Sequence, residues 1–227
     1  LASLLALVAA LMIFKLGVGP HLPATAKSGR PWAGLAAFKQ PRFRAAALGY
    51  FGHCWELYAL WALVPFLVAR ELQRLGAADG AQPWLSFAVI ALGLPGCVLA
   101  GKWSRHIGSD RVACLALAVS GTLCLVYPLL GNASPWLLLA LLGVWGVSVI
   151  ADSAQFSALA SATAPPERLG AALAMMNAIG FGLTIPSIAL VTALWSSQSL
   201  MVIWWLLPGP LLGLLAMRGF AAHHHAS

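Results

Sequence analysis

Charge is what this sequence has least of. Of its 227 residues only 8% are Asp, Glu, Lys or Arg, and the acids are just Glu56, Glu71, Asp79, Asp110, Asp152 and Glu167. A soluble domain carries about 25% charged residues. With 61% hydrophobic residues and a mean hydropathy of +0.87, the chain is excluded from the soluble class and is an integral membrane protein. The shortage of acid leaves a formal net charge of +7. The basic residues are gathered in a few segments between apolar runs, which is the pattern of cytoplasmic loops rather than of a nucleic-acid surface, and no nucleic-acid partner is expected. Paired cysteines are missing too. Cys54, Cys97, Cys114 and Cys124 all fall in apolar segments without a C-x-x-C, so they read as small membrane-embedded hydrophobes, not as a metal or redox motif. The sequence has no H-E-x-x-H, no phosphate-cradling P-loop and no nucleophile elbow, so no catalytic constellation, no nucleotide site for an ATP-driven pump, and no cofactor or metal is expected. Neither an initiator Met nor a basic stretch precedes the first apolar run, which does not fit a signal peptide and predicts a chain truncated at its N-terminus.

What is present is a series of long apolar runs. A spanning helix needs about 20 mostly apolar residues. The runs 1–19, 45–69, 83–101, 112–130, 135–161, 169–194 and 200–219 each meet that length approximately, which predicts an all-α integral membrane protein with seven transmembrane helices. Pro20 and Pro23 end the first, and Lys15 is close enough to that end to snorkel. Segment 20–44 carries Lys27, Arg30, Lys39, Arg42 and Arg44 with no acid and reads as a linker between two units. Ser134 and Pro135 give an N-cap followed by proline at the first helical position. The tail 220–227 is polar and gets no role. Loops 21–44 and 101–111, the 165–168 turn and the end after Arg218 hold most of the Lys and Arg residues, whereas loops 70–82, 131–134 and 195–199 hold only Arg70 and Arg74, balanced by two acids. The positive-inside rule then puts the C-terminus in the cytoplasm. One helix left over from a first unit, followed by a six-helix unit over 45–219, is the expected organisation.

The run 45–69 is the one around which the chain is read. It carries His53 and Glu56 three positions apart, on one side of a helix. Ionisable residues at membrane depth are costly and face a partner or a polar cavity. Glu56 can be a proton-coupling carboxylate with His53 sharing that proton or holding it in place; equally, the pair can hydrogen-bond to each other or to another helix and simply stabilise packing. Asp152 and Gln155 share a helix face with Ser148 one turn earlier, which makes either a pathway lining or a packing face near the cytoplasmic end. Asn177 and Thr184, two turns apart, offer hydrogen-bonding groups to a solute or to a neighbouring helix. Gly170, Gly180, Gly182 and the pair Gly143 and Gly146 suit close helix approach. Trp84, Trp136 and Trp195 lie near span ends, as interfacial tryptophans do.

The loop Gly101-Lys102-Trp103-Ser104-Arg105-His106-Ile107-Gly108-Ser109-Asp110-Arg111 falls between the third and fourth runs. It resembles, in degenerate form, the G-x-x-x-D-R-x-G-R-R type loop of the major facilitator superfamily. Gly101 and Gly108 match in place, but Arg105 stands at the acid position and His106 at the basic position after it. The pair GYFGHCWELYALW (49–61) and ADSAQFSALAS (151–161) looks like the seventh and tenth helices of a bacterial branch similar to nitrate/nitrite and cyanate-type permeases. The resemblance covers essentially the whole chain. It implies the last helix of an N-terminal bundle (1–19), the inter-half loop (20–44) and the whole C-terminal bundle. It further implies a non-enzymatic secondary transporter, moving a small polar solute by alternating access in the bacterial inner membrane and working with the missing N-terminal half. Such transporters bind solute between their halves near mid-membrane. Glu56, His53, Asp152, Gln155 and Asn177 are the expected pathway residues, and Gly101, Lys102, Arg105, Gly108 and Arg111 the expected loop motif. A membrane-bound enzyme subunit and a non-transporting scaffold or receptor are the alternatives.

Overall fold

A computed structural model describes residues 2–16, 31–77 and 79–222. The chain divides into two units, 1–30 and 31–227. In the first, α1 (Ala2–Leu16) is a 15-residue helix, apolar except for Ser3 and for Lys15 in its last turn. At 1.5 Å per residue it is about 22 Å long, shorter than a bilayer core. Gly17 to Arg30, with the expected stops Pro20 and Pro23 and the basic residues Lys27 and Arg30, lie outside the described residues, as do most of the tail 220–227 and its three histidines.

The second unit is built around α2 (Pro41–Leu75), a 35-residue helix. Pro41 starts it, where a missing N–H costs nothing. Gly76 ends it in the left-handed conformation with φ 64°, and its N–H bonds to the Gln73 carbonyl at 3.1 Å. The later helices are α3 (Gln82–Ala91), α4 (Gly93–Ile107), α5 (Ser109–Leu129), α6 (Pro135–Ala151), α7 (Ser153–Thr163), α8 (Leu169–Gln198) and α9 (Pro208–Ala222). A helix apolar on every face belongs inside a bundle. Accordingly α2 is buried along most of its length, with its closest backbone packing on α3, α6, α7, α8 and α9 and side-chain contacts to α5. Short 3-10 turns cover Pro31–Lys39, Asp79–Ala81, Pro166–Arg168 and Ser199–Leu206.

Among the described residues, five stretches are long and apolar enough to cross a membrane: Pro41–Leu75, Gln82–Ile107, Ser109–Leu129, Pro135–Thr163 and Pro166–Phe220. Two of them are single spans made of interrupted helices. Gln82–Ile107 breaks at Leu92 between α3 and α4, and Pro135–Thr163 breaks at Asp152 between α6 and α7. The 55 residues of Pro166–Phe220 contain α8 and α9, separated at Ser199, which has φ 50°.

Two expected loops are helix instead. Arg70 to Leu75 form the last turns of α2, so the expected 70–82 loop begins only at Gly76. Gly101 to Ile107 close α4, and the expected 101–111 loop shrinks to Gly108, whose φ of 95° favours glycine and lets α5 start at the next residue. Polar sequence alone does not separate a helix end that projects beyond the apolar layer from a loop.

Close approach of backbones explains the strongest packing. A Cβ on Gly52 would strike the Gly209 carbonyl, and one on Gly209 the Gly52 carbonyl, so α2 and α9 cross in contact. Gly146 meets the Val89 carbonyl, Gly96 the Val147 carbonyl and Gly180 the Tyr50 ring, whereas Gly170 and Gly182 face open space.

The apolar core falls into two clusters stacked along α2. One gathers Leu57 to Leu72 of α2 with Leu123 and Tyr127 of α5, Leu142 and Trp145 of α6, and Ile203. The other gathers Phe43 to Cys54 with Ala113 and Leu117 of α5, Phe156 of α7, Met176 of α8 and Met217 of α9. On α2, on α5 and on the α6–α7 stretch, buried polar residues fall between the two clusters.

Candidate functional site

That polar layer is the site. Between Cys54 and Leu57 on α2 stands Glu56, between Leu117 and Leu123 on α5 stands Ser120, and between Val149 and Phe156 on the α6–α7 span stand Asp152 and Gln155. His53, one turn before Glu56, completes it. All five are buried, with Glu56 at 1%, His53 at 2% and Asp152 at 2% exposure. Glu56 lies near the midpoint of the longest helix, so the layer crosses the bundle at mid-depth.

His53 and Glu56 do not pair with each other. Each reaches across to the α6–α7 span instead. His53 Nδ1 lies 2.8 Å from Asp152 Oδ1, an ion-pair contact without the alignment of a hydrogen bond. Glu56 Oε1 accepts from the Trp145 indole N–H at 2.9 Å, from the Ser120 hydroxyl and, at 3.3 Å, from the Cys124 thiol. The Trp145 N–H is also 3.0 Å from Ser120 Oγ. Residues 53 and 56 share one helix face, as 145 and 152 do two turns apart. The antiparallel helices thus meet at two polar rungs, Glu56 with Trp145 and His53 with Asp152. Tyr50 and Phe156 flank the imidazole, with ring centroids at 5.9 and 6.3 Å.

The second rung falls where the helix is interrupted. Asp152 is the single residue between α6 and α7, and near it the Cys97 thiol donates to the Ile150 carbonyl at 3.6 Å. Helix interruptions inside apolar segments free backbone groups and in transporters mark sites of binding and bending. The other interruption, at Leu92, packs against the same span, with Gly93 against Ile150 and Gly143 against Leu92.

The remaining expected residues are scattered. Gln155 is buried at 3% on α7. Asn177 is exposed on α8, while Thr184 is buried and donates to the Phe181 carbonyl of its own helix at 2.7 Å. Ser148 donates to the Trp145 carbonyl, also within its own helix. Lys102, Arg105 and Arg111 are exposed around Gly108 at the α4–α5 junction, with Gly101 one helical stretch earlier; no ion pair among the described residues involves them. The site is closed. A cavity of about 430 Å³ between α4, α5 and α6 reaches Ser148 and Ala151 but not the carboxylates, and one of about 480 Å³ between α2, α8 and α9 is apolar throughout.

Sequence reasoning missed the three donors to Glu56. Ser120 and Cys124 are i and i+4 on α5, and Trp145 is two turns before Asp152; that periodicity was the available signal. It also missed a second polar cluster, at the far end of α2. Glu71, fully buried, is ion-paired to Arg70 and, at 2.6 Å, to Arg74. Arg70 donates to the Gly131 carbonyl at 2.8 Å and Arg74 to the Ala133 carbonyl at 2.7 Å, which ties the α5–α6 turn to α2.

A bundle of long apolar helices with a buried layer of ionisable groups at mid-depth is the architecture of a multi-pass membrane protein. The family model of the Major Facilitator Superfamily matches residues 1–188, and the chain belongs to that superfamily of secondary transporters. Its members are transporters rather than enzymes, which leaves the enzyme-subunit alternative without support. No match was found among curated proteins or among solved structures.

Proposed function

We propose that the chain is the C-terminal part of a proton-coupled permease for a small polar solute, in which Glu56 and the His53–Asp152 pair carry the coupling. The observation that bears this reading is the polar layer itself. Two carboxylates and a histidine sit at mid-depth with neutral donors and each other for partners, while the arginines that do form ion pairs lie at the far end of α2. Burial of a charge without a fixed counter-charge is costly, and a group that exchanges a proton escapes that cost in one of its two states.

On this reading the chain spans the bilayer seven times. α1 is the last helix of a first bundle, and Pro166–Phe220 supplies two spans joined at Ser199. The six-helix unit rocks against a six-helix partner half, with solute held between the halves and the closed layer opening in the alternate state. The likeness of 49–61 and 151–161 to nitrate/nitrite and cyanate-type permeases favours that bacterial branch. A bacterial inner-membrane location with a cytoplasmic C-terminus follows from the basic segments. Gln155 and Asn177 complete the proposed path, and the Gly101–Arg111 segment acts as the cytoplasmic junction between α4 and α5.

The test uses the protein expressed from its complete gene, in proteoliposomes carrying a pH-sensitive dye. A panel of nitrate, nitrite, cyanate, amino acids and sugars is added in turn. A solute that evokes proton movement in the wild type, but not in Glu56→Gln or Asp152→Asn, is the expected result. Solute uptake that proceeds identically in both variants, with no proton movement, overturns the reading.

A further inference from the structure

Three donors crowd one oxygen of Glu56. The Ser120 hydroxyl, the Trp145 indole and the Cys124 thiol all point at Oε1, and among the described residues none donates to Oε2. The arrangement around Ser120 is directional. Its oxygen lies 3.0 Å from the Trp145 N–H, which can only donate, so the hydroxyl accepts from the indole and sends its own hydrogen to the carboxyl. The one indole hydrogen is shared between Ser120 Oγ and Oε1, and the hydroxyl hydrogen goes to Oε1 as well. The donors come from α5 and α6, both packed in the bundle, and Ser120 and Trp145 are themselves 1% and 0% exposed. The carboxyl is therefore held by one oxygen.

We propose that Ser120 and Trp145 are positioning residues that keep Oε1 of Glu56 a permanent acceptor, so that the coupled proton binds to and leaves from Oε2 alone. This rests on the proton-coupling reading above. Loading forms an O–H bond at Oε2 with a proton from water on one side of the membrane. Release breaks that bond and returns the proton to water on the other side, and Oε1 keeps its donors throughout. The division gives the carboxyl one orientation in both states, so that taking up a proton needs no rearrangement of α5 and α6. The titratable groups around it are His53 on α2, Cys124 on α5 and Asp152 at the α6–α7 break; α8 has none along its length and α9 only Arg218, near its far end.

Infrared difference spectra of the solubilised protein, expressed from its complete gene and recorded from acid to alkaline pH, test this without any solute. The carbonyl stretch of protonated Glu56 is the carboxyl band missing in Glu56→Gln. Its frequency reports hydrogen bonds to the carbonyl oxygen, here Oε1. The band is expected at higher wavenumber in Ser120→Ala and in Trp145→Phe, higher again in the double variant, and at the wild-type position in Ser120→Thr, which keeps the hydroxyl. A purely structural role for these residues leaves the band in place. An unmoved band in Ser120→Ala, or a Ser120→Thr band displaced like that of the alanine variant, overturns the positioning role while leaving the coupling reading intact. Should Trp145→Phe fail to fold, the two Ser120 variants decide. A wild type with no Glu56-dependent band at any pH overturns the coupling reading and this inference with it.

Discussion

Two acids of the same helix, both out of reach of solvent, are held in opposite ways. Glu71 lies between two guanidiniums, Arg70 and Arg74, whose remaining N–H groups grip backbone carbonyls of the α5–α6 turn. Glu56 is held by a hydroxyl, an indole and a thiol, all neutral. Arginine stays charged in proteins, so the first cluster is a fixed clasp with a counter-charge always present. The second has no such counter-charge and suits a group whose charge changes. Placement in the bundle agrees with this division. The clasp joins helix ends, where a rigid tie between α2, α5 and α6 is useful, and the Glu56 layer separates two apolar clusters at mid-depth.

The comparison can be broken from either side. The largest effect is expected from Arg70→Met with Arg74→Met, which leaves the Glu71 carboxylate buried without a partner. Loss of one side of a buried ion pair costs about 3–5 kcal/mol, and thermal unfolding in detergent should show a drop of that order. A drop below about 1 kcal/mol would mean that the clasp is no tie. Next comes His53→Ala, which strips Asp152 of its partner. A cost of about 2 kcal/mol is expected, the scale of leaving a buried polar group without its partner, and a double-mutant cycle with Asp152→Ala should recover part of it as coupling energy. No coupling in that cycle would remove the second rung. Gly52→Val forces the α2 and α9 backbones apart one residue from His53. It should cost about 1–3 kcal/mol, as overpacking does; unfolding that matches the wild type would contradict the backbone crossing. The smallest effect is Ser120→Ala. Interhelical hydrogen bonds in membranes average about 0.6 kcal/mol, so its stability should hardly change even though the Glu56 carbonyl band moves.

Much of this was legible in the sequence, for a physical reason. Apolar runs of spanning length and the cost of ions in lipid are properties of single segments, so α2 was recognisable as the axis of the chain, and His53, Glu56, Asp152 and Gln155 as its singular residues. Pairing is a property of two segments. The i, i+3 spacing of His53 and Glu56 left open whether they serve each other or a neighbouring helix, and here both turn to the α6–α7 span. The same limit hid Trp145, which reads as one more apolar residue until its N–H is seen against Glu56. The charges of Arg70, Glu71, Arg74 and Asp79 cancel in a count and so suggested an unremarkable loop. In space, the first three form an ion-paired network around the buried Glu71 on the last turns of a helix. Asn177 looked equivalent to the other intramembrane polar residues, but its register puts it on the exposed face of α8.

The most direct measurement compares Glu56→Gln with Glu71→Gln in proteoliposomes, recording solute-evoked proton movement and solute exchange on the same preparations. If Glu56 is the exchanging group and Glu71 a fixed tie, Glu56→Gln loses proton movement by at least about tenfold, the scale of a 1.4 kcal/mol change, while exchange continues. Glu71→Gln keeps the ratio of the two and loses only folded protein. Proton movement that survives intact in Glu56→Gln would contradict the account.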